Sequence, residues 1–305
     1  MFSALYGDLI GERKGMMPPD EIEFGIRGQS MKVTFTGTGG GGSYAHDRGG
    51  ASVMLENDGG VILLDCGPGV LRRVFRSGVD VGDINAVFIT HLHYDHSVGL
   101  PELFNMFGRR RADPPRIFGP KGIAEYVANS KKLIITNGMK ELPEGLQLLR
   151  GEEITPGETY EVGGFMADAI EVPHDPLIQA LAWRFRSDGV NVVVSGDQAT
   201  DDKLMVPFSS DADLLVHEAH TKQGIEEQAA KLPNADRRAL FIRTFPVAHS
   251  EVSSAAKVAA EASVKRLALT ALLPFEDESV LVNLAKEHYK GEVFVAQVGE
   301  SLEIS

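Results

Sequence analysis

With one cysteine in 305 residues, Cys66, the chain has no partner for an internal disulfide and suits a reducing compartment. Beside Asp65 and Gly67 that thiol reads as a small packed group rather than a nucleophile. No apolar run reaches the length of a membrane span. The first residues, with Asp8, Glu12 and Pro18-Pro19-Asp20, lack the basic-then-apolar order of a secretion signal, so a cytoplasmic protein with no membrane contact is expected. Positive charge is scarce: 30 Lys and Arg against 43 Asp and Glu leave a net charge of -13. Phosphate backbones are held by Lys and Arg, so this balance argues against a broad nucleic-acid surface. A small anion remains acceptable, because bound metal cations reverse the local field. Repeats of the ~20–50-residue period that marks solenoids are also missing. What remains, 43% hydrophobic and 24% charged residues, is ordinary for a globular protein able to bury a substantial core.

The chemistry lies in where the histidines fall. Ala86-Val87-Phe88-Ile89-Thr90 is an apolar run suited to a buried strand, and His91-Leu92-His93-Tyr94-Asp95-His96 follows it directly. Along extended backbone His91 and His93 point the same way while Leu92 points back into protein. Asp95 and His96 come where the chain turns toward Ser97-Val98-Gly99, placing them beside a second position. A lone histidine would read as a core or solvated residue; three with a carboxylate behind a strand read as metal donors. Further polar groups stand at the mouths of apolar runs: His174 between Pro173 and Pro176, Asp197 in Ser195-Gly196-Asp197, and His217-Glu218-Ala219-His220. Phe245-Pro246-Val247-Ala248 delivers His249 in the same manner. Seven of the nine histidines thus read as standing at or just after strand ends, with His46 and His288 outside the pattern. Asp65, closing Val61–Leu64, serves equally as a turn residue or as an acceptor that orients a ligating imidazole.

Residues 1–30 read as an N-terminal extension, either a loose arm, edge strands or a dimer contact, and 31–305 as one domain. Gly37-Thr38-Gly39-Gly40-Gly41-Gly42 follows the strand Met31–Thr36 without the Gly-Lys-Ser/Thr ending of a phosphate loop, and is expected to be a turn at the rim of the site. Asn57-Asp58-Gly59-Gly60 signals a hairpin. Helices are expected over Val70–Ser77 with Arg72, Arg73 and Arg76 outward, over Pro101–Phe107, Lys121–Lys132 and Glu278–His288, and from a Ser250 cap to Ser263. Arg109-Arg110-Arg111 reads as a solvated charge run, and 133–149 as a lid or substrate wall. Strands then helices in two successive halves suggest an α/β protein, a four-layer αβ/βα sandwich with its site along the sheet edges.

Leu63-Leu64-Asp65-Cys66-Gly67 ahead of the His-x-His-x-Asp-His signature resembles the metallo-β-lactamase superfamily, and more narrowly its branch of ribonuclease Z, arylsulfatase-like hydrolases and small phosphodiesterases. The likeness runs over nearly all of 31–305. It implies a first ion held by His91, His93 and His174, and a second held by Asp95, His96 and a bridging Asp197. It also implies Asp95, His249 and Glu218 as catalytic groups, with His249, tuned by Glu218, protonating the departing oxygen. The cofactor expected is zinc, one or two ions, with manganese or iron able to use the same donors. The expected substrate is a small-molecule phosphodiester or sulfate ester; a lactonase or other carboxylic-ester hydrolase is the alternative, since the same chemistry reaches carbonyls. By analogy two copies would pair as a homodimer.

Two departures qualify the resemblance. Where the family's strand ends Leu-Thr-His, this chain reads Leu269-Thr270-Ala271, and a methyl group binds no metal. Either the second position is weakened and held by Asp95, His96, Asp197 and water, or His220 substitutes, or the protein is impaired by nature or by engineering; a degenerate, non-catalytic ligand-binding member is the further alternative. Ribonuclease Z also carries a glycine- and lysine-rich arm between its third His and the Ser-Gly-Asp carboxylate. Here His174 and Asp197 are only 23 positions apart (197 − 174), which moves transfer-RNA processing to the minority reading.

Overall fold

The computed structural model describes residues 30–40, 47–110, 114–134 and 141–305. All but the last residue of the expected extension, together with Gly41, Gly42, His46 and Arg111, lie outside them, as do the side chains of Arg109 and Arg110. Two seven-stranded sheets face each other. The first takes β1 (Met31–Gly37), β2 (Ser52–Asn57), β3 (Gly60–Leu64), β4 (Ile84–Phe88), β5 (Arg116–Gly119) and β6 (Gly151–Glu153) in order, with the last strand β14 (Ser301–Ile304) added beside β1. The second takes β7 (Thr159–Val162), β8 (Phe165–Val172), β9 (Ala180–Ser187), β10 (Val190–Val194), β11 (Leu214–Glu218), β12 (Arg266–Thr270) and β13 (Glu292–Val295) as unbroken neighbours.

Strand alternation explains why four layers form. In β2, Val53 and Leu55 point between the sheets while Met54 points out toward helices; in β10, Val192 and Val194 point in while Val193 points out. Both faces of each sheet are apolar, so both need cover. Helices α1 (Val70–Arg76), α3 (Leu100–Arg110) and α4 (Ile123–Lys132) supply it on one side, and α6 (Asp202–Phe208), α9 (Val252–Glu261) and α10 (Glu278–His288) on the other. At the centre the Phe88 ring stacks on Phe118 at 4.9 Å and meets Trp183 and Phe185 edge-on at 4.9 and 5.1 Å. Burying one such ring stabilises the fold by about 2–3 kcal/mol over leaving it in water.

One end of each sheet is parallel, β3-β4-β5-β6 in one and β10-β11-β12-β13 in the other. Functional groups of α/β sheets gather beyond the carboxyl ends of such strands. The two sheets are tied there: Leu181 N donates to Thr90 O at 3.0 Å, and Trp183 Nε1 to Ile89 O at 3.2 Å.

Several local expectations change. His249 follows a helix, α8 (Ala235–Ala248), rather than a strand, with Pro246 in its last turn. That helix and its partner α7 (Lys222–Ala230) form a hairpin that carries no continuous apolar stripe to the core, which is why periodicity missed both. Ser250 does not cap α9: Glu251 holds the cap position without a side-chain bond, and Ser250 Oγ donates to Gln198 O at 2.7 Å. Arg73 is not turned fully outward but donates to Pro68 O at 2.9 Å. The stretch 133–149 contains a short helix, α5 (Glu144–Leu148), with 135–140 outside the described residues.

Candidate metal centre

His91 leaves the end of β4, His93 precedes the single helical turn α2 (Tyr94–Ser97), and His96 sits inside that turn. The turn can lie this close to the sheet because Gly67 has no side chain: a Cβ there would come within 2.2 Å of Asp95 O. From the second sheet, β8 delivers His174 and β10 delivers Asp197. Three groups of ligand atoms result: His91 with His93 and His174, His91 with His96 and Asp197, and His174 with Asp197 and His249, each drawn together within 4.8 Å.

The protonation pattern is what a cation requires. In each of four imidazoles the outer nitrogen meets an oxygen acceptor. His91 Nδ1 reaches Thr90 Oγ1 at 3.0 Å, His93 Nε2 lies 3.5 Å from Asp175 Oδ2, His96 Nδ1 reaches Asp65 Oδ2 at 2.8 Å, and His174 Nδ1 reaches Ala248 O at 2.7 Å. A ring that donates from its outer nitrogen presents a lone pair at the inner one. With the outer nitrogens donating, those inner atoms are left to crowd together as acceptors: His91 Nε2 and His174 Nε2 each lie 3.1 Å from His93 Nδ1. A tetrahedral zinc with nitrogens at ~2.0–2.1 Å sets such atoms roughly 3.3 Å apart, so the spacing fits. His96 Nε2 and Asp197 Oδ1 are buried, have no hydrogen-bond partner among the described residues, and face each other at 3.3 Å. Two buried polar atoms set this way are a donor pair that a cation would satisfy.

Asp65 resolves as the orienting acceptor. Its two oxygens take Thr90 N and Thr90 Oγ1, both at 2.8 Å, as well as His96. Thr90 therefore relays the carboxylate to His91, a role sequence reading missed; a hydroxyl just before the first histidine was the available signal. Burial presses His91 well toward the neutral form and His174 in the same direction. Burial acts the same way on His96, but the Asp197 and Asp65 carboxylates outweigh it and raise that ring.

Glu218, at the end of β11, is enclosed. It accepts Gln198 N and Ser250 N, and takes His249 Nδ1 at 2.8 Å. Burial would lower His249, yet the carboxylates of Glu218, Asp197 and Asp95 together push it up to about 9. Burial also raises Glu218, against the pull of His249. Asp95 stands outside the three donor groups and reaches the centre through its charge on His249. His220 joins none of them among the described residues; its ring meets Phe245 edge-on at 5.3 Å. His217 is buried within β11, gives Nδ1 to Glu218 O at 2.8 Å, and is pushed down to about 4 by burial. Ala271 adopts left-handed backbone (φ 52°) and borders the same small void as Asp65, His96 and Asp197. Among the described residues no helix is long and apolar enough to cross a membrane.

Residues 31–241 match the family of the anti-Pycsar protein Apyc1. A ribonuclease Z of Haloferax volcanii is 29% identical over 327 aligned positions, covering 90% of this chain and 95% of the relative. One of Mycobacterium bovis is 30% identical over 256, covering 80% and 86%. Among solved structures, the metallo-β-lactamase fold protein YhfI of Bacillus subtilis superimposes with a TM-score of 0.71 at 24% identity, covering 90% of this chain and 99% of that one.

Proposed function

Because the chain belongs to the Apyc1 family within the metallo-β-lactamase superfamily of metal-dependent hydrolases, we propose that it is a zinc enzyme cleaving a phosphodiester or sulfate ester of a small molecule. His91, His93, His174 and Asp197 would hold the first ion, and His96 and Asp197 a second, for which Asp95, outside the donor groups, would have to turn inward to serve as the further ligand the sequence suggests. When bound, the metal supplies a Lewis acid and a water acidic enough to attack at neutral pH. The chain's own groups do the rest. Asp65 and Thr90 fix the imidazole tautomers, directly at His96 and through the hydroxyl at His91. His249, held protonated by Glu218, gives its proton to the departing oxygen.

One observation carries this reading. The Glu218–His249 pair stands beside the donor cluster, with the His174 and His249 rings 4.9 Å apart, and both open on a cavity of about 570 Å³. A binding protein would need the donors but not a proton donor facing the cavity. The curated relatives' name favours a second reading, ribonuclease activity. Against it, the 174–197 segment is filled by the β9–β10 hairpin, leaving no arm to grip RNA.

The test is a substrate panel on the whole protein with and without chelator: p-nitrophenyl phosphodiester, sulfate and carboxylic esters, and a transfer-RNA precursor. Phosphodiester or sulfate hydrolysis, lost with chelator and restored by zinc, is expected. Turnover of the carboxylic ester alone would install the lactonase reading, and of RNA alone the ribonuclease one. A metal-loaded protein inert to all four would be a binding protein.

A further inference from the structure

Helix α8 is unusual in this fold. None of its fourteen residues is buried, and the element it packs against is α7. It nevertheless carries Phe241 and Phe245, four positions apart and so on one face, with their rings 5.0 Å apart. The Phe245 ring lies flat on the His249 imidazole, centroids 4.1 Å apart and planes within 15°. His220 meets the Phe245 ring edge-on at 5.3 Å. The cavity beside the donor cluster is lined by both phenylalanines, Val247 and Pro176, together with His174 and His249.

These contacts leave His249 held in two ways. Glu218 fixes its Nδ1, which sets the hinge of the ring but not its tilt. The flat face of Phe245 sets the tilt, and therefore where Nε2 points. We propose that the cavity is the subsite for the leaving group of the ester, that it takes a flat group with an apolar face, and that Phe245 is a positioning residue coupling occupation of the subsite to the placement of His249. The proposal rests on His249 being the proton donor. As the bond from phosphorus or sulfur to the leaving oxygen breaks, that oxygen takes the Nε2 proton and departs as an alcohol. The ring stays neutral with its Nδ1–H on Glu218, and the attacking water supplies the new oxygen bond and the proton that recharges the ring. A leaving group resting on Phe241 and Phe245 would press α8 inward, so the contact that recognises the substrate also aims the acid. None of α8's residues is buried and its tie to the donor cluster is at its last residue, Ala248 O on His174 Nδ1, so the body of the helix can follow that pressure about a fixed end.

The experiment compares two phosphodiesters, one leaving as p-nitrophenolate, which needs little protonation, and one as an alkyl alcohol, which needs it fully. In Phe245→Leu the kcat for the alkyl ester should fall at least about ten-fold further than that for the p-nitrophenyl ester, the scale set by a small misplacement of a reacting group. Phe245→Tyr should restore the ratio, and Phe241→Leu should raise KM for aryl esters more than it changes kcat. A reading independent of turnover is the proton spectrum of the metal-free protein. The His249 ring-carbon proton should be shifted upfield by the stacked phenyl and return toward its usual position in Phe245→Leu. Equal losses for both esters, or an unshifted His249 resonance in the parent protein, overturn the proposal while leaving hydrolysis intact. Absence of hydrolysis for every ester in the parent protein would instead remove the functional reading beneath it.

Discussion

In the first sheet the converging side chains leave from a single six-residue loop, and one carboxylate, Asp65, steadies two of its imidazoles through 2.8 Å contacts with His96 and Thr90. In the second half His174, Asp197, Glu218 and His249 come from four separate places along the chain, and three of them have separate supports: Ala248 O for His174, backbone N–H groups for Glu218, and the Phe245 ring for His249. The first half therefore concentrates metal donors on one buttress. The second spreads its two donors and the proton-handling pair over supports that can fail one at a time.

Two isosteric substitutions sharpen this contrast. Glu218→Gln leaves the donor groups in place but removes the charge that keeps His249 protonated, so kcat should drop by about 10²–10⁴-fold, the usual share of a general acid, with metal content unchanged. Asp65→Asn takes the charged acceptor from His96 and Thr90 together, so zinc affinity should drop by about 10–100-fold, read by metal analysis after competition with a chelator. If both variants shed metal to the same degree, the division between the halves is wrong.

A smaller effect is expected at Ala271. Its left-handed backbone is one that histidine tolerates better than most side chains, and the void it borders also touches His96 and Asp197. Ala271→His should raise the zinc bound from about one toward two equivalents and increase turnover several-fold. Identical metal content and rate in the two forms would show that the second position does not depend on this residue.

The same contrast decides what could be read from residues alone. The His91–His96 loop was legible because its donors are adjacent and strand geometry aims His91 and His93 together. The layered architecture was legible because most of the β-strands follow the period-2 pattern. The α7–α8 hairpin was not: α7 buries only Gly224, Ile225 and Ala229, α8 buries nothing and so leaves no stripe in the sequence, and Pro246 made its last turn look like the end of a strand. Thr90 and Phe245 escaped for a related reason: a hydroxyl and a phenyl become parts of a site only when distant chain folds against them. Asp65 could be read two ways until its distance to His96 decided between them.

The weakest effect concerns stability rather than catalysis, and separates the histidines within the second half. His249 is raised to about 9, whereas His217, three positions before His220 on the adjoining strand, is lowered to about 4 and has a buried Nε2 without a partner among the described residues. Above pH 6.5 His217 is neutral whether the chain is folded or not, and contributes no pH dependence. As pH falls from 6.5 toward 4 the unfolded chain takes up a proton that the folded chain refuses, so stability is lost across that window, by up to about 3 kcal/mol. His220, also lowered to about 4 by burial and by His249, steepens the same limb. His217→Gln keeps an amide donor for Glu218 O but cannot titrate. Urea unfolding of the metal-free protein at pH 7.5 should show a loss of about 1 kcal/mol from the altered packing, while the decline between pH 6.5 and 4 should become shallower by close to one proton. An unchanged slope would mean that the acid limb belongs to His220 and the Glu218–His249 pair, and that His217 is not shielded from water as the structure places it.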